Sequence, residues 1–280
     1  MGNVVVVTGA TRGLGRGAAR EFGAQGATVV ATGRNEDDLA AVAGEITERG
    51  GKAVPITCNH SDDAAVEAAF QQIEGELGGI DILLNNAAAV HAAELVAPQP
   101  FWEKPLKLVD MIDVGLRSNY VASFYAAPMM VKAGKGLIAS ISFYGAVSYF
   151  HGPAYGAAKA GTDKMMADMA IDLAPYGVAA ISYWPGFVLT DAVRAMPKEI
   201  LPPGIQENLP NWETPEFTAR VINALYSDAN LMKQSGQALI GAEYAECQGI
   251  SDVDGKQPIS YRKTMGSPHI PFSSVRGQPS

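Results

Sequence analysis

The chain has 280 residues, 48% of them apolar and 18% charged, enough for one large α/β domain or two small ones with a sizeable core. Twenty-nine acidic against 21 basic side chains give a formal charge of −8, which argues against nucleic acid or an anionic membrane as partner, since both need basic patches. The two cysteines, Cys58 and Cys247, have neither metal-ligand nor disulfide-framework spacing, so no metal is expected and a reducing compartment is the default.

The first strand, "NVVVV" at 3–7, begins almost at once. No basic segment and long apolar run precede it, Val6 stands where a myristoylation signal needs Ser or Thr, and no apolar run is long enough to span a bilayer. The expectation is a soluble, cytoplasmic protein. Directly after the strand, "TGATRGLG" at 8–15 opens a helix expected over 14–25. Gly9 lets the chain turn sharply, and Gly13 and Gly15 remove side chains where a pyrophosphate approaches the backbone and the helix N-terminus; Thr11, Arg12 and Leu14 complete the turn. Such a turn can also exist with nothing bound, but its place after the first strand of an α/β chain favours a ligand. The spacing is GxxxGxG rather than GxGxxG.

The second strand, "ATVVAT" at 27–32, is followed by "GRN". An acid at that strand end would accept the ribose 2′-hydroxyl of NAD, whereas here Gly33 is neutral and Arg34 follows. Arg12 supplies a second guanidinium. Two arginines suit a 2′-phosphate, so NADP(H) is expected over NAD(H); the plainer alternative for Arg34 is a solvated loop charge.

Further along, helical patterns at 36–49, 61–77, 106–132, 154–174 and 214–227 alternate with strands at 52–57, 80–85, 136–141, 178–183 and, more weakly, 237–241. Continuous apolar strands separated by helices predict a doubly wound, Rossmann-type, mostly parallel seven-stranded sheet with helices on both faces. Such folds bind ligands at the carboxyl ends of their strands. Residues 1–242 read as one domain, with two long segments, 90–105 and 186–212, expected to build the substrate pocket. Residues 243–280 read as an extended tail packed on the domain or leaving it.

The stretch "PAYGAAKAG" places Tyr155 and Lys159 four residues apart on one helix face, an arrangement that is inert in most helices. Here it belongs to a set. "TGATRGLG" at 8–15, "NNAA" at 85–88, Ser142, "YGAAK" at 155–159 and "PGFVLT" at 185–190 occur in order, with Ser142 thirteen residues before Tyr155. On these motifs the chain resembles the short-chain dehydrogenase/reductase family over most of its length. Within that family, "FWEKP", "VGLRSNY", "SYWPGFV" and "DVDG" at 252–255 are similar to the dehydrogenase/reductase SDR family member 1 group.

The resemblance implies an oxidoreductase that interconverts a ketone or aldehyde and an alcohol. Reduction needs a hydride on carbon and a proton on oxygen. Tyr155 is the implied proton donor, with a nearby Lys159 expected to lower the phenol's ordinary pKa of about 10 and to bind the nicotinamide ribose. Ser142 would hold the substrate oxygen; Ser140 is the competing serine, and the spacing to Tyr155 favours Ser142. Coenzyme contacts carried over from the family are Asn85, Asn86 and Ala87 after the fourth strand, Asn59 and His60 after the third, and Pro185, Gly186, Val188 and Thr190 at the nicotinamide end. A homodimer or homotetramer through 106–132 and 154–174 is likewise implied. His91 and His151 receive no role, and the Met129–Met130 and Met165–Met166 pairs read as core.

One position departs from the family. Many members carry an asparagine that holds a relay water, and here Gly115 stands in its place, with Asn119 one helical turn later. Either Asn119 or bulk water is expected to serve the relay, the equal alternative being that Asn119 faces a subunit neighbour and takes no part in catalysis. Phe101, Trp102, Phe143, Tyr144, Tyr149, Phe150, Phe187 and Trp212 near the pocket point to a small apolar or aromatic carbonyl or alcohol substrate. The competing readings are a non-redox enzyme on the same scaffold, such as an epimerase or dehydratase, and a nucleotide-binding regulator without turnover.

Overall fold

The valine run at the start of the chain is buried on both sides because successive side chains alternate between two helical layers. The computed structural model describes residues 2–196 and 203–270. Its strands are β1 (Val4–Val7), β2 (Thr28–Gly33), β3 (Lys52–Thr57), β4 (Ile82–Asn85), β5 (Gly136–Ile141), β6 (Val178–Trp184) and β7 (Ala238–Ile240). They form one seven-stranded sheet in the order β3-β2-β1-β4-β5-β6-β7, and every pair is parallel. The expected doubly wound sheet is therefore present.

The long helices are α1 (Gly13–Ala24), α2 (Glu36–Glu48), α3 (Asp63–Leu77), α4 (Ser118–Ala133), α5 (Pro153–Leu173), α6 (Phe217–Ser227) and α7 (Gly241–Gln248). Val5, Val7, Val29, Ala31, Ile82 and Leu84 face one layer, meeting Phe22 of α1, Ile46 of α2 and Phe217 and Leu225 of α6. Val6, Val30, Leu83, Ile138 and Ala180 face the other, meeting Phe70 and Ile73 of α3, Met130 of α4 and Met166 of α5. Helices 2 and 3 start at side-chain caps: Asn35 accepts from the Asp38 amide, and Asp62 from those of Ala64 and Ala65. The strand order reverses between β1 and β4, which opens a crevice at their carboxyl ends.

The segment 106–132 is not the single helix that its periodicity predicts. A 3₁₀ turn (Leu106–Val109) and a short helical turn (Asp110–Ile112) lead into a wide turn at Asp113–Arg117, and only then does α4 begin. The break is at Val114 (φ −113°, ψ 91°) and Gly115 (φ 147°, ψ −28°). A residue with a Cβ rarely adopts that φ, so a glycine is what the break requires. The freed groups are re-paired: the Val114 carbonyl accepts from the Ala89 amide at 2.8 Å, and the Gly115 amide donates to Ser118 Oγ at 3.1 Å.

Helix α7 runs across the boundary drawn at residue 242, and the chain beyond it turns back over the carboxyl ends of the strands. Asp252 accepts from the Thr214 amide (2.7 Å) and hydroxyl (2.5 Å), and the Tyr261 amide donates to the Tyr144 hydroxyl at 3.0 Å. The parts of the 186–212 loop and of the tail that fall at 197–202 and 271–280 lie outside the described residues. Among the described residues no helix is long and apolar enough to cross a membrane.

Candidate active site

The glycine turn leaves β1 with Gly9 and Gly13 in the left-handed region, at φ 66° and 55°. Their neighbours differ. A Cβ on Gly13 would meet only the Thr190 methyl, at 3.7 Å, so this position stays open beside the start of α1. A Cβ on Gly15 would strike the Gly9 carbonyl and the Asn86 amide, so Gly15 serves the packing of the protein on itself rather than ligand access. The first amides of α1 and an open glycine beside them suit a diphosphate. Arg12 and Arg34 are both exposed, and neither forms an ion pair with another described residue. At Gly33 a Cβ would meet the Thr11 methyl, which disfavours an acid at this strand end. Leu14 is partly buried against the core of the α1 layer. The residues present thus fit a nicotinamide dinucleotide.

The "NNAA" motif acts through the protein itself. Asn85 is fully buried, and its amide donates to Ser123 Oγ (2.9 Å) and Ser140 Oγ (3.1 Å), with the Asn119 carbonyl at 3.4 Å. Its side-chain amide ties β4 to α4 and β5. Asn86 donates through Nδ2 to the carbonyls of Thr8 (2.8 Å) and Gly9 (3.0 Å), while the Asn86 and Ala87 amides both donate to Thr8 Oγ1 at 2.9 Å. These bonds hold the glycine turn in shape. Asn59 is exposed, and its Oδ1 accepts from Ser61. His60 turns inward, its Nε2 lying 2.7 Å from Thr32 Oγ1, and burial pushes its pKa down to about 4, so the ring is neutral. Pro185 and Gly186 are buried, Val188 and Thr190 half-buried. The Gly186 amide donates to Glu213 Oε1 (2.7 Å) and Thr190 caps Asp191–Arg194, so the loop is fixed where Thr190 faces Gly13.

The proposed proton couple lies at the end of β5. Helix α5 starts at Pro153, behind Gly152, and presents Tyr155 and Lys159 towards that strand end. Ser142 is buried; its amide donates to the Tyr183 carbonyl (2.8 Å) and its hydroxyl to the Lys159 carbonyl (3.1 Å). Lys159 Nζ donates to the Ile141 carbonyl at 3.0 Å and stands 5.5 Å from the Tyr155 ring centroid. Ser140 is engaged with Asn85 instead, which separates the two serines as the spacing argument expects. Burial raises the Tyr155 phenol well above its ordinary value and lowers the Lys159 amine to about 8. The expected lowering of the phenol by the lysine is not what this arrangement produces. The ammonium is bonded to a carbonyl rather than to the phenol oxygen, and desolvation dominates. A phenol so placed keeps its proton at neutral pH.

Aromatic rings cluster beyond the same strand end. Phe143, Phe150 and Phe187 pack together with centroids 5.1–6.1 Å apart, Phe187 stacks on Trp212 at 5.1 Å, and Tyr261 from the returning tail stands edge-on to Phe187 at 4.8 Å. A cavity of about 410 Å³ lies between Phe101, Trp102, Tyr149 and Phe150 and the start of α5 at Pro153 and Gly156. His91 lies 3.0 Å from Asp110, pinning the 90–105 segment. His151, left without a role by the sequence, has φ 62° and sets its ring edge-on to Tyr155 at 5.2 Å. No local pattern announces that backbone state, nor the arrival of Tyr261 from the tail. The carboxylate of Asp163, four residues after Lys159, had a readable signal in its helical spacing.

Comparison with known proteins agrees with this geometry. The short chain dehydrogenase family profile matches residues 3–200. Dehydrogenase/reductase SDR family member 1 of Mus musculus is 40% identical over 269 residues, covering 93% of this chain and 86% of that protein; the Homo sapiens protein is 39% identical over the same span. A 3-oxoacyl-(acyl-carrier-protein) reductase of Aquifex aeolicus is 32% identical over 235 residues, covering 81% and 91%. The crystal structure of a 3-oxoacyl-(acyl-carrier protein) reductase from Brucella melitensis superposes with a TM-score of 0.72 at 26% identity, covering 85% of this chain and 89% of that one. The chain belongs to the short-chain dehydrogenase/reductase family, as an oxidoreductase of CH–OH and C=O groups similar to family member 1.

Proposed function

We propose that the protein is an NADP(H)-dependent carbonyl reductase or alcohol dehydrogenase in which Tyr155 gives or takes the proton. The observation that carries this reading is the convergence of Ser142, Tyr155 and Lys159 at one strand end, beside a glycine turn flanked by two arginines that form no ion pair with another described residue. When bound, the nicotinamide coenzyme supplies the hydride for the carbonyl carbon. Arg12 and Arg34 would hold its 2′-phosphate, and the start of α1 at Gly13 its diphosphate. The Ser142 hydroxyl turns to the substrate oxygen and sets its direction. Tyr155 donates its proton to the developing alkoxide, which the protonated Lys159 stabilises. The aromatic wall excludes water and accepts an apolar or aromatic substituent. Relatives named as 3-oxoacyl reductases act on a carbonyl, which supports the same chemistry.

Asn119 is our assignment for the relay. It is buried, and its Nδ2 donates to the Gly115 carbonyl at 2.6 Å, beside the broken turn. Asn119→Ala should lower turnover about tenfold, a modest share of what acid–base catalysis contributes, and change its pH profile. A variant with wild-type turnover and profile removes Asn119 from the relay. The reading as a whole is tested by a panel of apolar and aromatic carbonyls assayed with NADPH and with NADH. The expected result is coenzyme oxidation that favours NADPH. Coenzyme binding with no oxidation across the panel would overturn it in favour of a non-catalytic role.

A further inference from the structure

One turn beyond Lys159, helix α5 places a second ionisable group against the sheet. Asp163 Oδ1 accepts from Ser182 Oγ at 2.5 Å and from Trp184 Nε1 at 3.0 Å. Ser182 and Trp184 are alternate residues of β6, so both face the same helix. An indole N–H can only donate, and Oδ1 takes two donors at once, an environment built for a carboxylate. Asp163 follows Lys159 by four residues, so the two side chains lie on one face of α5.

The surroundings of Lys159 are otherwise neutral. β5 contributes the Ile141 carbonyl, which accepts from Lys159 Nζ, and α5 itself contributes Tyr155. In the segment 110–117, which packs on α5, Asp110 is engaged with His91 and Asp113 is exposed. Within α5, Lys164 and Asp168 pair with each other at the surface. The charge that acts on Lys159 is that of Asp163, and it opposes the desolvation that drives the amine towards neutrality. Burial likewise raises the Asp163 carboxyl, and its donors and the lysine charge pull it back.

We propose that Asp163 is a positioning residue of the proton couple: fixed by Ser182 and Trp184 one helical turn beyond Lys159, its carboxylate keeps Lys159 cationic beside a turn where Gly115 offers no side-chain amide. The proposal rests on the reading of Tyr155 and Lys159 given above. Its geometry ties the aromatic wall to the charge state of the lysine, since Trp184 also packs on Tyr144 with centroids 5.0 Å apart.

The test compares pH profiles of kcat for the wild type, Asp163→Asn, Ser182→Ala and Tyr155→Phe, using NADPH and an apolar carbonyl. Asp163→Asn keeps an oxygen acceptor for Ser182 and Trp184 and removes only the charge. Lys159 then loses its proton at lower pH, and the alkaline limb should move down by about one unit, about tenfold in rate above that limb. Ser182→Ala removes one donor from the carboxylate, raises the pKa of Asp163, and should move the acid limb up. Limbs that superimpose on those of the wild type in both variants, with Tyr155→Phe inactive, overturn the Asp163 assignment. So does a fall in kcat in both variants without movement of either limb, the mark of a merely structural role. An active Tyr155→Phe overturns the underlying reading instead. Near-UV circular dichroism reports folding, and if Asp163→Asn does not fold, the Ser182→Ala limb decides.

Discussion

Tyr155→Phe is expected to lower kcat by about 10²–10⁴-fold, the range that a positioned general acid contributes, with NADPH binding unchanged. The substitution removes one oxygen and leaves the ring, which packs on Phe150 at 6.0 Å and His151 at 5.2 Å. The thermal midpoint should therefore stay close to that of the wild type, so that lost turnover cannot be ascribed to lost fold. The same site sets a pH limit. Burial lowers the Lys159 amine to about 8, and the active form carries the ammonium. Wild-type reduction should accordingly fall as pH rises through about 8, while the phenol, raised by burial, keeps its proton throughout that range. Steady-state assays across this window, with NADPH binding followed by fluorescence, check both statements. A Tyr155→Phe enzyme retaining more than about a tenth of wild-type kcat would show that the proton comes from elsewhere.

The double variant Arg12→Ala/Arg34→Ala should lower kcat/KM with NADPH by about 10²–10³-fold and leave kcat/KM with NADH nearly unchanged. A hydrogen bond to a charged group is worth about 1.5–3 kcal/mol, and the 2′-phosphate is the part of the coenzyme that only NADPH carries. Both guanidiniums are exposed and free of ion pairs with other described residues, so they can turn to a phosphate without giving up a partner. Gly33 supports the same preference from the other side. A side chain there would first meet the Thr11 methyl, so the acid that selects NAD elsewhere is disfavoured at this strand end. Comparable kcat/KM with NADH and NADPH in the wild type would refute the role given to both arginines.

Much of the structure can be read from local pattern. The β-branched runs at 3–7, 27–32 and 136–141 became β1, β2 and β5 to within a residue, because a strand buried on both faces needs an unbroken apolar run. The Tyr155–Lys159 pair could be read because helical periodicity alone puts residues four apart on one face, and Ser142 because its spacing to Tyr155 matches a known family. The segment 106–132 shows where such reading stops. Its apolar pattern continues through Gly115, and nothing in the pattern records a φ of 147° that depends on the Ala89 and Ser118 partners of the turn. Asn85 shows the same limit for function. Its motif pointed to the coenzyme, and its amide is bonded to residues on α4 and β5, 38 and 55 positions away along the chain.

By itself, the sequence determined the layered sheet, the glycine turn, and the residue types of a hydride-and-proton reaction, all of which depend on periodicity and short spacing. Only the tertiary structure decided which polar groups reach the reacting centre and which serve the fold. That choice depends on contacts between distant segments: Asp163 with Ser182 and Trp184, Glu213 with Gly186, and Tyr261 with Phe187. It also decided the charges, because desolvation depends on what covers a group, and burial moves Tyr155 and Lys159 in opposite directions within a single helical turn.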